Sequence, residues 1–119
     1  MAGLPHGVIE LRDVVLPLVG LTNTGPMTQR QTAQFLALHG LNSVNDFNLI
    51  KPNQAKDMVK AASARHPAQA MGILIQNNLT GLIWYVKDRT RRGLPVDANN
   101  IVLEDLHHGH MAYEAYVQN

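Results

Sequence analysis

Residues 71–93 read MGILIQNNLTGLIWYVKDRTRRG, and this stretch decides the fold. Four apolar side chains follow Ile75 at the spacing of one helical face: Leu79, Leu82, Ile83 and Val86. The pattern predicts a long amphipathic helix over about residues 69–92. Gly93 ends this helix, and Pro95 prevents it from restarting. We expect it to be the spine of the domain.

Two shorter helices are predicted on the N-terminal side of this spine. Thr28 offers an N-cap with Gln31 as its capping-box partner, and the helix runs to about residue 39. Gly40 suits the left-handed position that ends such a helix. Ser43 then begins a short apolar helix.

A further helix and a C-terminal helix complete the pattern. Asn53 is predicted to cap a helix over about residues 54–65, and its apolar stripe consists of Ala55, Met58, Val59 and Ala62. Asp97 or Asn99 opens the last helix. Gly109 is expected to interrupt that helix, because glycine is a poor helix former.

The first 26 residues have a different composition. They contain Pro5, Pro17, Pro26 and four glycines, all of which punctuate regular structure. We predict an extended N-terminal arm over residues 1–26, with one strand or short helix at 8–16, and a single helical domain over 27–119. The arm is too apolar for a free tail, so it either covers the core or docks on a neighbouring copy through Val14, Val15 and Leu18.

The predicted fold class is all-α: a compact four- to five-helix bundle with a SAM-like helical unit, one long central helix and the extended arm. The SAM-like layout is the order helix, Gly40-Leu41 connection, short helix, break and helix in residues 28–65. DNA-binding helix–hairpin–helix units usually carry a second glycine where Asn42 stands, so that backbone N–H groups approach a phosphate. The sequence therefore favours a structural or protein-interaction use of this unit.

Composition narrows the function classes. Charged residues make up 16% of the 119, against about 25% in a typical domain, and such a surface favours a chain that lives in an assembly. The formal net charge of +1 provides no global attraction to nucleic acid, so any such role needs a local patch. The absence of cysteine excludes disulfides and thiol catalysis and fits an intracellular protein, cytoplasmic or nuclear. No apolar run is long enough to span a membrane.

The basic cluster at the end of the spine has two interpretations. Lys87, Arg89, Arg91 and Arg92 fall within six residues, offset by Asp88. They would bind phosphates through counterion release, as in a nucleic-acid-binding module. Cations at a helix C-terminus also complement its dipole, by about 0.3–1 kcal/mol each, without any partner.

Aromatic side chains of the long helix and of the last helix also have two interpretations. Trp84 and Tyr85 sit one turn before the basic cluster and would stack on bases. More often such residues belong to a core or a subunit interface. Together with Tyr113 and Tyr116 they are our candidate contact residues, beside Val14, Val15 and Leu18 of the arm.

Catalytic and metal-binding patterns are poor. His107, His108 and His110 form a cluster, but on a helix His107 and His110 share a face while His108 points elsewhere. We expect a solvated face, adventitious metal binding or a pH response rather than a metal site. Neither serine lies in a nucleophile motif, and there is no glycine-rich phosphate loop. We therefore expect no enzyme and no cofactor.

One family resemblance covers about two thirds of the chain. Residues 30–106 resemble a helical domain of retrotransposon-type Gag (polyprotein) reading frames of unicellular algae. The stretches that carry it are Phe35 to Ser43, Asn78-Leu79, Trp84 to Arg89, Arg91-Arg92 and Ile101 to Leu106. The resemblance implies self-assembly or scaffolding, capsid-like at most, and it carries no catalytic residue.

The leading expectation is thus a non-enzymatic protein-interaction and self-assembly domain that forms homo-oligomers. The alternative is a nucleic-acid-binding module that uses Lys87, Arg89, Arg91 and Arg92. Neither a membrane nor a small-molecule substrate is expected as a partner.

Overall fold

The computed structural model describes residues 6–20, 39–59 and 73–118, and within them the regular elements are all helical. In chain order these are α1 (His6–Glu10), a π-helical turn (Leu11–Val15), α2 (Leu16–Val19), 3₁₀ helices at Val44–Leu49 and Pro52–Gln54, α-helical residues 55–59, α3 (Ile73–Arg91), a 3₁₀ turn at Ala98–Asn100 and α4 (Leu103–Gln118). The described residues contain no β-strand. The predicted all-α class is confirmed.

Helix α3 is the spine that the sequence predicted. The side chains of Leu79, Leu82, Ile83 and Val86 are all completely buried. The helix ends as expected at Gly93, which has a φ of 72°. The Gly93 and Leu94 N–H groups donate to the carbonyls of Thr90 and Arg89, so the last carbonyls of α3 are satisfied by a Schellman motif.

Helix α4 lies against α3 at a contact between two glycines. A Cβ atom on Gly81 would overlap the Leu106 carbonyl oxygen, and one on Gly109 would overlap the Gly81 carbonyl oxygen. The two backbones therefore approach as closely as backbones can. Helix α4 continues through Gly109, so the predicted interruption there is wrong. The close contact with α3 outweighs the roughly 1 kcal/mol by which glycine disfavours a helix.

The N-terminal segment requires a correction. Residues 6–19 are helical. The prediction of an extended N-terminal arm is therefore wrong for the part of residues 1–26 that the structure describes. Of the two elements predicted at 8–16, a strand or a short helix, the helix is the right type, but the observed helical segment is longer. Four side chains of this segment are at most 1% exposed and belong to the core, namely Leu11, Val15, Leu16 and Val19. The segment covers the core of its own chain.

Proline explains why this segment is not a single α-helix. Pro17 has no N–H group to donate to the carbonyl four residues back and clashes with it in a regular α-helix. The Leu16 N–H instead donates to the Leu11 carbonyl, which widens the helix locally into a π turn. Gly20, with a φ of 109°, ends the segment, and the Asn78 side chain of α3 donates to the Val19 carbonyl at 3.1 Å.

The connection in residues 39–59 follows the sequence prediction in part. Gly40 has the left-handed φ of 67°, and Ser43 precedes the predicted short helix. The Asp46 carboxylate accepts from the Ser43 N–H at 3.0 Å, which closes the first turn. The predicted cap at Asn53 is wrong, because Asn53 lies inside the 3₁₀ turn that Lys51 precedes.

One hydrophobic core cluster runs through the described part of the chain. Its buried members are Leu11, Val15, Leu16, Val19, Leu41, Val44, Phe47, Ala55, Met58, Val59, Leu79, Leu82, Ile83, Val86, Ala98, Ile101 and Leu106. The radius of gyration is 13.7 Å. A compact chain of this length has about 13.5 Å. The helix predicted over 28–39, the domain boundary at 26–27 and the second half of the helix over 54–65 lie outside the described residues.

Candidate functional site

Three aromatic rings meet where the C-terminal half of α4 lies beside α3. The Trp84 ring centroid is 5.6 Å from that of Tyr113 and 5.2 Å from that of Tyr116, with the ring planes tilted by 59° and 42°. Tyr113 and Tyr116 are three residues apart on α4, so they share the face that α4 presents to α3. Tilted rings at these distances attract each other beyond their buried area.

These rings form one wall of a groove. We call it the aromatic–basic groove; it has a volume of about 290 Å³ and is lined by Pro52, Trp84, Lys87, Asp88, Arg91, Tyr113 and Tyr116. Its volume is at the lower end of the range of small-molecule sites, which suits one flat group rather than a whole substrate. Tyr116 is 66% exposed, so its ring is accessible from solvent.

The charged residues that line this groove are Lys87, Asp88 and Arg91. Asp88 accepts from Arg91 at 2.6 Å and lies 3.3 Å from the Arg92 guanidinium. The side chains of Arg91 and Arg92 are nevertheless 71% and 63% exposed. Lys87 lines the groove and donates to the Asn48 carbonyl at 2.6 Å. Among the described lining residues Asp88 carries one negative charge, and Lys87 and Arg91 carry two positive charges, so the positive charge is in excess.

Arg89 lies apart from the groove. Its Nε donates to the Pro95 carbonyl at 2.6 Å, and its guanidinium carbon lies 5.6 Å from the centre of the Tyr85 ring. Burial raises the pKa of the Tyr85 hydroxyl, an effect that the nearby Arg89 charge partly offsets. The cluster of four cations predicted from the sequence is thus divided, with Lys87 and Arg91 at the groove and Arg89 turned away from it.

The predicted contact residues are likewise divided. Val15 belongs to the core and is only 1% exposed, so its side chain cannot contact a partner. Leu18 and Tyr85 are half-buried and pack against the core, and Val14 is half-buried. Trp84, Tyr113 and Tyr116 come together at the groove.

The histidines of α4 form separate pairs. His108 lies 3.7 Å from Glu104, and His110 lies 2.8 Å from Glu114, each pair one helical turn apart. His107 is exposed. Within the described ranges, no three His, Cys, Asp or Glu side chains are grouped so that they could hold a metal ion.

Sequence reasoning found most of the groove residues but not the groove. It singled out Trp84, Tyr113 and Tyr116 separately, and it missed Pro52. The three-residue spacing of the two tyrosines indicates a shared helix face, but no local pattern pairs that face with Trp84, almost thirty residues earlier. Pro52 reaches the groove only through the tertiary fold.

Comparison with known proteins found no match to this chain among family models, curated proteins or solved structures. The resemblance to retrotransposon-type Gag domains and the SAM-like description of residues 28–65 therefore stay predictions. In the part of the chain that the structure describes, no helix combines the length and apolarity that crossing a bilayer requires.

Proposed function

We propose that this chain is a non-enzymatic protein-interaction and self-assembly domain, scaffold-like or capsid-like, that works inside the cell. Copies join through the α4 tip, which we define as residues 111–118. The observation that carries the proposal is the exposure of this tip, where every residue except Tyr113 is exposed. Met111, Tyr116 and Val117 are 66%, 66% and 59% exposed. Apolar side chains grouped on one exposed helix end are typical of a surface that a partner covers.

A second copy of the chain suits this surface. Glu104 and Glu114 of α4 are 75% and 55% exposed, while Arg91 and Arg92 of α3 are largely exposed as well. One molecule thus offers both signs of charge around an apolar surface. In a two-fold interface each patch meets its own copy, so such a surface is able to complement itself.

The groove supports a binding role rather than a catalytic one. The one carboxylate among its described lining residues, Asp88, is paired with Arg91 and Arg92. A general base needs a carboxylate oxygen within reach of a substrate proton, and each Asp88 oxygen already lies against a guanidinium group.

The mass of the particle tests self-assembly. We expect light scattering across a micromolar dilution series to give a mass above that of one chain, which falls on dilution as copies dissociate. The double variant Met111→Glu/Val117→Glu should be monomeric, because each new carboxylate would be buried without a partner in the interface.

The matched control is Val102→Glu. Val102 is 54% exposed and lies just before α4, so the same kind of change is made away from the tip. It should retain the mass of the wild type. A wild-type chain that is monomeric throughout the series, or a tip variant as large as the wild type, would contradict the proposal.

A further inference from the structure

We propose that the aromatic–basic groove binds single-stranded nucleic acid, with one base stacked against Tyr116 and Trp84 and the flanking phosphates held by Arg91 and Lys87. This site shares Tyr116 with the α4 tip, whereas the self-assembly proposed above is tested at Met111 and Val117, which do not line the groove. The inference rests on the position of three rings and two cations around one groove, and each part contributes a separate argument.

The rings provide a stacking surface. Tyr116 lines the groove and is 66% exposed, so its ring is accessible to a base from solvent. A nucleobase is flat and apolar on both faces, so it stacks on such rings whatever its identity. Bases of a duplex are stacked on each other and expose only their edges. The groove therefore selects unpaired strands.

The cations provide phosphate contacts that are not used up within the fold. The Lys87 ammonium has three N–H donors and uses one on the Asn48 carbonyl, so two remain. Arg91 is 71% exposed, and its pair with Asp88 is of the exposed kind that is weak in water. Arg92 also lies beside Asp88, so Asp88 keeps a partner when Arg91 turns to a phosphate.

Charge and ring spacing disfavour a cationic ligand. Three aromatic residues can form a cage for an alkylammonium group when the rings surround an empty space. Here the ring centroids are only 5.2–5.6 Å apart, so the rings contact one another. Lys87 and Arg91 at the rim would also repel a cation. A flat ligand with negative charge on either side fits both observations, and each nucleotide of a strand supplies that combination.

The experiment uses the single tryptophan of the chain as the reporter. Trp84 lies in the groove, so a base that stacks there should quench its fluorescence. The protein is titrated with an oligothymidylate of about ten nucleotides, within the site sizes of stacking proteins. An abasic strand of equal phosphate number and a duplex of equal length are titrated in parallel. We expect quenching by the oligothymidylate, and at least tenfold weaker binding of the abasic strand and of the duplex.

Salt dependence counts the phosphate contacts. Two contacts on a single strand give a slope of about −1.4 in a plot of log affinity against log salt concentration. Arg91→Ala should weaken binding and reduce this slope by about 0.7. Tyr116→Ala should weaken binding by roughly five- to 150-fold at unchanged slope, which is the usual range for loss of one stacked base. Both side chains are mostly exposed, so both variants keep the fold.

Arg89→Ala is the matched control. It removes the same charge two residues from Arg91, but Arg89 faces Tyr85 and the Pro95 carbonyl rather than the groove. We expect its affinity to stay within about twofold of the wild type, because the residual change is that of a distant screened charge.

Four results would overturn the proposal. The first is that the abasic strand binds as tightly as the oligothymidylate, and the second is that Arg89→Ala weakens binding as much as Arg91→Ala. Either result would indicate a diffuse electrostatic attraction rather than a stacking site. An acidic peptide of glutamates and tyrosines displaces the strand at equal concentration, which would assign the groove to a protein partner. The Trp84 fluorescence is unchanged by any strand. None of these results bears on self-assembly, whose readout is particle mass.

Discussion

Asp88 determines how much of the basic cluster is available to a ligand. In the sequence it is one carboxylate among four cations. In the structure it pairs with Arg91 and Arg92, the two most exposed of them, while Lys87 and Arg89 donate to backbone carbonyls. Local charge density therefore overstates the free positive charge at this end of α3.

Removing this carboxylate should strengthen nucleic-acid binding. In Asp88→Asn, Arg91 and Arg92 lose their competing partner. We expect the affinity for the oligothymidylate to rise by about two- to fivefold, since an exposed pair contributes about 0–1 kcal/mol. Glu104→Gln is the control, because it removes a carboxylate on α4 that is 75% exposed and does not line the groove. An equal gain in the control, or no gain in Asp88→Asn, would count against this role of Asp88.

Helices α3 and α4 depend on two glycines that are 28 residues apart. Local reasoning treats Gly109 as a helix breaker, because the residue with which it packs, Gly81, is remote in sequence. By contrast, the buried stripe of α3 and its end at Gly93 were predictable, since both depend on spacing within one element. The same holds for Ser43, which precedes a short helix as its residue type indicates.

The glycine contact predicts an unusual response to alanine. Gly109→Ala improves helix propensity but places a methyl group against the Gly81 carbonyl. We expect a net loss of about 1–3 kcal/mol in the free energy of unfolding, as for overpacked cores. His107→Ala, on the exposed side of α4, should leave stability unchanged or raise it. Urea unfolding measures both, and a stabilised Gly109→Ala would disprove the close contact.

Gly93 provides a complementary case, in which the backbone conformation, rather than a lack of space, disfavours a side chain. Apart from its two chain neighbours, no atom of the described residues would lie within 4 Å of a Cβ atom there, yet φ is 72°. Gly93→Ala should therefore lose about 1–2 kcal/mol through the left-handed backbone alone. Gly93→Asn should lose less, because asparagine tolerates this region. Equal losses in the two variants, measured by urea unfolding, would point to a cause other than backbone conformation.

Across the whole molecule, the observed structure differs most from the structure predicted from sequence in the N-terminal segment, residues 6–19. Prolines and glycines there favour an extended arm, and Pro17 does break the regular α-helix. The segment still remains helical, because a π turn absorbs the missing hydrogen bond and the apolar side chains gain burial in the core. Such tertiary compensation has no local signature. The groove escaped prediction for the same reason, since Trp84 meets Tyr113 and Tyr116 only when the molecule is assembled.

A substitution in this segment shows whether its apolar side chains stabilise the core of their own chain or dock on a second copy. Leu16→Ala should reduce the free energy of unfolding by about 2–5 kcal/mol, as expected for a fully buried leucine. Particle mass at concentrations where the variant is folded should be unchanged. Val14→Ala, at a half-buried position of the same segment, should cost much less. A variant of normal stability and reduced mass would instead indicate that the segment docks on a second copy.

The crossing of α3 and α4 has a mechanical consequence for the groove. Since the backbones approach closely at Gly81 and Gly109, we expect α4 to pivot about that point, with the nine residues that follow Gly109 in α4 as the moving arm. At 1.5 Å per residue the arm is about 13 Å long, so tilting α4 by about 10° would move its end by roughly 2 Å. Tyr116 is carried on this arm and Trp84 is not. The position of the Tyr116 ring relative to Trp84 therefore depends on a helix contact that has no room for a side chain at either glycine.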